Sequence, residues 1–153
     1  MKLRLVAVGK IREPYVAAAI DDFRRRLERY YGFEETEIAA SRGGNAERAI
    51  REEGERIARA LVPGEPFWLL DRGGSQLSSV ELSEKLQRLA GSGHTRLTLV
   101  VAGTYGADRA IVERAGFVWS LSSLTFLHEW ARAIVVEQLY RAAKIARNEP
   151  YHY

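Results

Sequence analysis

Two segments in the second half of the chain have the composition of a nucleoside pocket. Residues 100–106 read VVAGTYG, an apolar strand that runs into small residues. Small residues let a ligand approach the backbone closely and use its N–H and C=O groups. Residues 119–132 read WSLSSLTFLHEWAR, where hydroxyl side chains alternate with apolar ones and can wall a purine. Each segment also has a purely structural interpretation, as a strand-to-helix turn and as a buried connection.

A second group of candidate residues lies on and after the last predicted helix. Glu137 and Arg141 are four residues apart, so they either pair with each other or face a ligand. Tyr151, His152 and Tyr153 bring three rings together, which either stack on RNA bases or belong to a frayed tail. The same helix carries an apolar stripe that is either core or a partner face, formed by Ile134, Val135, Leu139 and Ala142.

Several familiar kinds of site are excluded. The chain has no cysteine, which excludes disulfide scaffolds, thiolate metal sites, Fe–S clusters and cysteine nucleophiles. It has no P-loop and no G-x-S-x-G elbow, and Gly103 and Gly106 lack the first glycine of a dinucleotide fingerprint. His128 and Glu129 begin like a zinc-binding H-E-x-x-H, but Arg132 stands at the second histidine. We expect no metal.

The periodicity of apolar residues predicts alternating strands and helices. Strands are expected at 2–9, 33–40, 67–70, 97–102 and 117–121, and a loop at 71–76. Helices are expected from Pro14 to about Tyr30, around Ile50 to Leu61, after a capping box at Ser78 and Glu81, briefly before Ala115, and at 128–147. This order predicts one α/β domain with a mostly parallel sheet covered by helices on both faces. Ligands then bind at the carboxyl ends of the strands, in the loops after Leu70, after Ala102 and at 121–127.

Composition and charge give weaker indications. The 153 residues are 46% hydrophobic, which suffices for a core, and no apolar run spans a bilayer or forms a signal peptide. We therefore expect a soluble cytoplasmic protein. The net charge of +3 permits a polyanionic partner. Basic residues flank the first strand and crowd one helix, where a solvated face paired with nearby acids is the favoured interpretation; these residues are Lys2, Arg4, Lys10 and Arg12, then Arg24, Arg25, Arg26 and Arg29.

Four segments together resemble the RlmH-type SPOUT methyltransferases over essentially the whole chain. They are the opening MKLRLVAVGK, the VVAGTYG loop, the SLSSLTF segment, and EQLYRA with the PYH near the end. The resemblance implies a homodimer that uses S-adenosylmethionine to methylate N3 of a pseudouridine in 23S ribosomal RNA, on the ribosome. It also implies a trefoil knot in a cofactor-binding part at about 97–153, within a single domain covering 1–153. The sequence departs from the family at Ala102, Leu127 and Tyr153, which replace a glycine, a proline and a charged residue.

The resemblance assigns roles to individual residues. The implied cofactor-binding residues are Leu70, Ala102, Gly103, Gly106, Leu121, Ser122, Ser123, Leu124, Thr125 and Phe126. The implied substrate-binding residues are His128, Tyr140 and Tyr151, and Arg132, Arg141 and His152 are the candidates for catalysis. An arginine would stabilise the anion formed at N3, and His152 is a possible base. Trp119 and Trp130, with the apolar stripe, are expected at the dimer interface.

Three other functions compete with this interpretation. A SPOUT-like enzyme could act on another RNA, such as transfer RNA. A non-catalytic module could bind RNA or the ribosome without cofactor. A small nucleotide-binding hydrolase is the third, and the missing phosphate loop argues against it.

Overall fold

The computed structural model describes all 153 residues, Met1 to Tyr153, as five strands and five helices that alternate along the chain. The strands are β1 (Lys2–Val8), β2 (Gly32–Ile38), β3 (Phe67–Gln76), β4 (Arg96–Val101) and β5 (Phe117–Ser120). The helices are α1 (Pro14–Leu27), α2 (Ala46–Ala60), α3 (Ser79–Gly91), α4 (Arg109–Arg114) and α5 (His128–Ala146). The α/β class predicted from the sequence is confirmed.

All five strands are parallel, in the order β2-β1-β4-β3-β5. Side chains of β1 alternate between the two faces of the sheet. Leu3 and Leu5 join the larger core with α1, α3 and α5, whereas Val6 and Val8 join the smaller core with α2 and α4. Helices therefore cover both faces, as a parallel sheet requires.

Local sequence signals explain where several helices begin and pack. Pro14 starts α1, where its missing N–H costs nothing. Ser78 and Glu81 form the expected capping box, with the Glu81 amide 3.2 Å from Ser78 Oγ and the Ser78 amide 2.7 Å from Glu81 Oε2. Gly54, inside α2, packs so closely on Asp108 that a Cβ there would lie 2.6 Å from Asp108 Cβ. The glycine thus lets α2 approach the segment before α4.

The expectation of a loop at 71–76 is wrong, because β3 continues to Gln76. Leu70 and Ser75 both align with Trp119 of β5, so the four residues between them bulge out of register. Gly74 lies directly against the Val118 backbone, where a Cβ would collide. A bulge breaks the alternation of side chains, and the polar, glycine-rich sequence therefore showed no strand pattern.

The sheet has a topological switch point between β1 and β4. The chain leaves β1 through α1 towards β2, and it leaves β4 in the opposite direction through α4 towards β5. Because α1 and α4 lie on opposite faces, a crevice opens outside the carboxyl ends of these two neighbouring strands. The first turns of α5 also reach this edge, where Arg132 Nη1 donates to the Gly9 carbonyl at 3.2 Å.

Membrane-spanning helices are not found: none of the five is both long and apolar enough to cross a bilayer.

Candidate functional site

The predicted cofactor residues lie along the carboxyl edge of β3, β4 and β5. Leu70 pairs in register with Val101, so the buried Leu70 and Ala102 are neighbours at this edge. Beyond them, the Gly103 carbonyl accepts the Gly106 amide at 3.0 Å, and Gly106 closes the turn with a φ of 91°. The carboxyl ends of β3 and β4 therefore bring backbone groups and small residues close together at this edge.

The segment 121–126 follows β5 and lies beside the bulged part of β3. Thr125 Oγ1 accepts a hydrogen bond from Arg72 at 2.6 Å, and Ser123 Oγ accepts one from Gln76 at 3.0 Å. Leu124, at 69% exposure, and Phe126 point apolar surface to solvent next to these hydroxyls. Apolar surface beside hydroxyl and backbone groups is what a purine nucleoside needs, so the residues present fit an adenosine.

A cavity of about 120 Å³ lies at the switch point between β1 and β4. Its walls include Gly9, Ser41, Glu53, Gly103 and His128, which come from five separate parts of the chain. The cavity shares Gly103 with the predicted cofactor turn. The cavity is therefore continuous with the predicted cofactor turn at Gly103.

Glu53 of α2 is the buried acid of this cavity, with 6% of its surface exposed. Its Oε1 accepts the Ser41 amide at 2.9 Å, and its Oε2 is buried without a hydrogen-bond partner. Glu53 is not among the site residues predicted from the sequence. A signal was present, because Glu53 falls between Ile50 and Ile57 at helical spacing on the apolar stripe of α2. A carboxylate on a buried stripe indicates either a paired charge or a functional group.

Arg132 does not have the surroundings of a catalytic group. It is 1% exposed, and its Nη2 pairs with Glu35 and, at 2.9 Å, with Glu37. Together with the bond to Gly9, these contacts tie α5 to β1 and β2. We therefore reassign Arg132 from catalysis to positioning. His128, one helical turn earlier, does line the cavity.

Arg141 and Tyr151 form a cluster near the other end of α5. Glu137 Oε1 accepts hydrogen bonds from Arg141 Nη2 at 2.6 Å and from the Tyr151 hydroxyl at 3.0 Å. The Arg141 guanidinium also stands 4.6 Å from the centre of the Tyr151 ring. Burial, and then the bond to Glu137, raise the pKa of Tyr151. The end of the chain is thus anchored up to Tyr151, while His152 and Tyr153 are exposed.

A second contact anchors the same tail through Glu149. Its Oε2 accepts the Tyr30 hydroxyl at 2.5 Å and Lys144 Nζ at 2.6 Å. The hydrogen bond from Lys144 is the largest cause that lowers the pKa of Glu149, and the bond to Glu149 raises the pKa of Tyr30. The interpretation of a frayed tail is wrong for residues 149–151.

Tyr140 is unavailable for the stacking expected of a substrate-binding residue. It is buried, and its ring packs edge-on against Tyr151 at 4.8 Å and against Tyr30 at 6.0 Å. We therefore reassign Tyr140 to the support of Tyr151.

The predicted site residues fall into two separate groups. His128 is in the first turn of α5, and Arg141 follows about 20 Å further along the same helix at its 1.5 Å rise per residue. His152 lies beside Tyr151 and therefore belongs to the Arg141 group. One chain alone does not bring Arg141 and His152 to the cofactor edge.

The basic residues of α1 are mostly paired within the helix. Arg24 and Arg26 lie 2.6 Å and 2.8 Å from Asp21 and Asp22, and Arg25 lies 3.6 Å from Asp21. These pairs agree with the favoured interpretation of a solvated helix face.

Two of the three features expected at a dimer interface are core instead. Trp119 is 3% exposed, and Val135, Leu139 and Ala142 of the apolar stripe are fully buried, so the expectation is wrong for these residues. Ile134, the fourth residue of the stripe, is half-buried. Trp130, at 42% exposure, remains a surface residue, and its ring lies 5.8 Å from that of the exposed Tyr15.

Comparisons with known proteins agree over the whole chain. The family described as predicted SPOUT methyltransferases matches residues 1–152. A relative from Gloeobacter violaceus named ribosomal RNA large subunit methyltransferase H is 41% identical over 155 residues, covering 100% of this chain and 99% of the relative. A relative of the same name from Trichlorobacter lovleyi is 37% identical over 153 residues and covers 100% of both chains.

Solved structures share the fold at much lower identity. A probable methyltransferase from Bordetella pertussis gives a TM-score of 0.59 at 13% identity, covering 93% of this chain and 96% of that one. The tRNA (m1G37) methyltransferase from Aquifex aeolicus gives 0.55 at 15% identity, covering 100% and 75%. At these identities the likeness establishes the fold alone.

Proposed function

The chain belongs to the SPOUT methyltransferase family, alongside the ribosomal RNA large subunit methyltransferases H, and from this premise we propose that it methylates large-subunit ribosomal RNA with S-adenosylmethionine. The finer proposal is methylation of N3 of a pseudouridine in 23S ribosomal RNA on the assembled ribosome. The full-length similarity to relatives of that name carries the proposal.

The cofactor-binding role falls to the carboxyl edge of β3, β4 and β5. S-adenosylmethionine supplies a methyl group that its sulfonium already activates for displacement. Leu70 and Ala102 would form the floor under the adenosine, with Leu124 and Phe126 as its apolar cover. The cofactor-binding part, with its knot, is proposed at about residues 97–153, which contain the Gly103–Gly106 turn and the 121–126 segment.

The chain's own contribution to the reaction is alignment and charge stabilisation. Holding the target nitrogen in line for the transfer is worth about 7–11 kcal/mol. The nitrogen must also lose a proton. The Arg141 guanidinium would stabilise the resulting anion, and the exposed His152 would accept the proton. Arg132 acts at a distance by fixing α5 against β1 and β2.

We propose a homodimer in which the tail of one chain completes the cofactor edge of the other. The separation of about 20 Å between His128 and Arg141 along α5 supports this arrangement. Tyr15 and Trp130 offer exposed aromatic surface next to the start of α5, where a second chain would dock.

The RNA is proposed to approach the same edge. Lys10 and Arg12 follow β1, Arg42 follows β2, and all three are exposed beside the cavity rim. Cations in this position would hold phosphates and so orient the target base.

Methyl-labelled S-adenosylmethionine, offered with ribosomes that lack the modification and with naked ribosomal RNA, tests the proposal. Label at a single pseudouridine of 23S RNA is the expected result, and the comparison of the two substrates shows whether assembly is required. Transfer of the labelled methyl group to tRNA, offered in a parallel assay, would instead identify tRNA as the substrate. Absence of both transfer and cofactor binding would leave only an RNA-binding module.

A further inference from the structure

The cavity at the switch point between β1 and β4 is large enough for only part of a ligand. Its volume of about 120 Å³ is well below the roughly 300–1,000 Å³ of pockets that enclose whole ligands. It opens beside the turn at Gly103, where the proposed adenosine site begins. A ligand bound at that site would therefore extend only one end into the cavity.

Glu53 sets the chemistry of this end. Its carboxylate is 6% exposed and takes part in no ion pair, and one of its oxygens is buried with no partner. A buried carboxylate without a cation is costly, because the protein does not replace the hydration that the charge has lost. Of the other two buried charged side chains, Arg132 has carboxylates beside it, and Glu129 accepts the Arg12 amide. The chain itself therefore supplies no cation that pairs with Glu53.

Gly103 of the cofactor turn packs directly against Glu53, and both residues line the cavity. A Cβ on Gly103 would collide with Glu53 Oε2, so only glycine lets the turn lie against this oxygen. On the other walls, the Thr104 hydroxyl and the His128 ring add groups that can serve a zwitterion.

We propose that Glu53 binds the α-ammonium group of S-adenosylmethionine and seats its aminoacyl end in this cavity. The inference rests on the proposed function. The negative charge of Glu53 favours an ammonium group over a nucleobase. A neutral base edge donates hydrogen bonds but leaves the charge of the buried carboxylate uncompensated. An ammonium group provides both charge and donors.

Calorimetric titration of Glu53→Gln with three ligands tests the assignment. S-adenosylmethionine and S-adenosylhomocysteine both carry the ammonium group. The third ligand, 5′-methylthioadenosine, lacks the whole aminoacyl end but has the same uncharged thioether sulfur as S-adenosylhomocysteine. We expect the variant to bind the first two at least about tenfold more weakly and the third as well as wild type does, because only the charged contact is lost. Glu52→Gln is the matched control, since Glu52 bonds Ser41 Oγ and Arg48 and lies outside the cavity.

Two further measurements keep the result interpretable. Glu53→Gln should unfold at the same or a higher urea concentration than wild type, because an uncompensated buried charge has been removed. In the wild-type protein alone, S-adenosylhomocysteine should bind more tightly than 5′-methylthioadenosine.

Equal affinity of the wild type for those two ligands would overturn the inference. Equal weakening of all three ligands in Glu53→Gln would also overturn it, by showing a structural role. If the wild type binds none of the three, the proposed function itself fails, and this inference fails with it.

Discussion

Arg132 and Glu53 are buried side chains of opposite charge at the carboxyl edge of the sheet, and their surroundings differ. Arg132 has three protein acceptors, on Gly9, Glu35 and Glu37, and two of them are carboxylates, although its buried Nε has no hydrogen-bond partner. Glu53 has one backbone donor and a free oxygen. A buried charge that is paired with opposite charges specifies how the chain packs, whereas a buried charge without an ion pair is available to a ligand.

Removing Arg132 should therefore affect stability first. We expect Arg132→Met to lower the free energy of unfolding by about 3–5 kcal/mol, because it strands two carboxylates and a carbonyl. Arg132→Lys should not restore it, since one ammonium cannot reach all three acceptors as a guanidinium does. Urea denaturation measures both variants. Arg141→Met is the control, expected to change stability by about 1 kcal/mol or less while reducing methyl transfer. A wild-type urea midpoint for Arg132→Met would contradict the positioning role.

Among the helices and strands, the features predicted correctly have signals that are local in the sequence. The apolar run of β4 and the capping box at Ser78 need only neighbouring residues to be recognised. The end of β3 was missed because its pairing depends on β5, more than 40 residues later. The stripe on α5 could not be assigned to core or interface, because the answer depends on packing against α1 and α3. The residues around Glu53 likewise come from elements that are distant in the sequence, so its surroundings could not be predicted.

The bulged end of β3 should tolerate no side chain at Gly74. We expect Gly74→Ala to cost about 1–3 kcal/mol of stability, because its methyl would collide with the Val118 backbone and push β5 away. The same shift would pull Arg72 from Thr125 and weaken cofactor binding. Thermal denaturation and cofactor titration test both effects. Gly73→Ala is the control, since its methyl would contact only the half-buried Asp71 side chain. Equal stability of the two variants would argue against the tight β3–β5 approach.

Acid should release the anchored tail before the domain unfolds. Lys144 holds the pKa of folded Glu149 below its ordinary value of 4.5. A carboxylate with a lowered folded pKa adds stability above its unfolded pKa, and that stability is lost as the pH falls through the folded value. The Glu149 amide bonds the Lys144 carbonyl at 3.0 Å, and its protection from exchange should therefore stay constant near neutral pH and fall below about pH 4.5. Glu149→Gln should show low protection at every pH. Protection that is independent of pH in the wild type would exclude this anchor.

For the molecule as a whole, the carboxyl edge combines the cavity, the cofactor segment and a rim of exposed cations. We expect Arg42→Glu to weaken ribosome binding several-fold and to leave cofactor affinity unchanged, because Arg42 is exposed beside this rim and is not one of the cofactor residues. Arg25→Glu, on the paired face of α1, should have a smaller effect. Binding is measured at two salt concentrations, with cofactor affinity as the folding control. A larger loss for Arg25→Glu would place the RNA on α1 instead.

The proposed dimer makes a prediction that no single chain can satisfy. Gly103→Val blocks the cofactor edge, because a side chain there collides with Glu53, but leaves the tail intact. Arg141→Ala removes the tail's cation and leaves the cofactor edge intact. Each variant alone should be inactive. Unfolding and refolding an equal mixture should restore about a quarter of wild-type activity, since half of the dimers are mixed and each has one complete site. A tail acting on its own chain's cofactor edge would restore nothing, because every chain in the mixture carries one defect. Activity in the mixture would therefore show that the 20 Å or so between His128 and Arg141 is bridged by the second subunit.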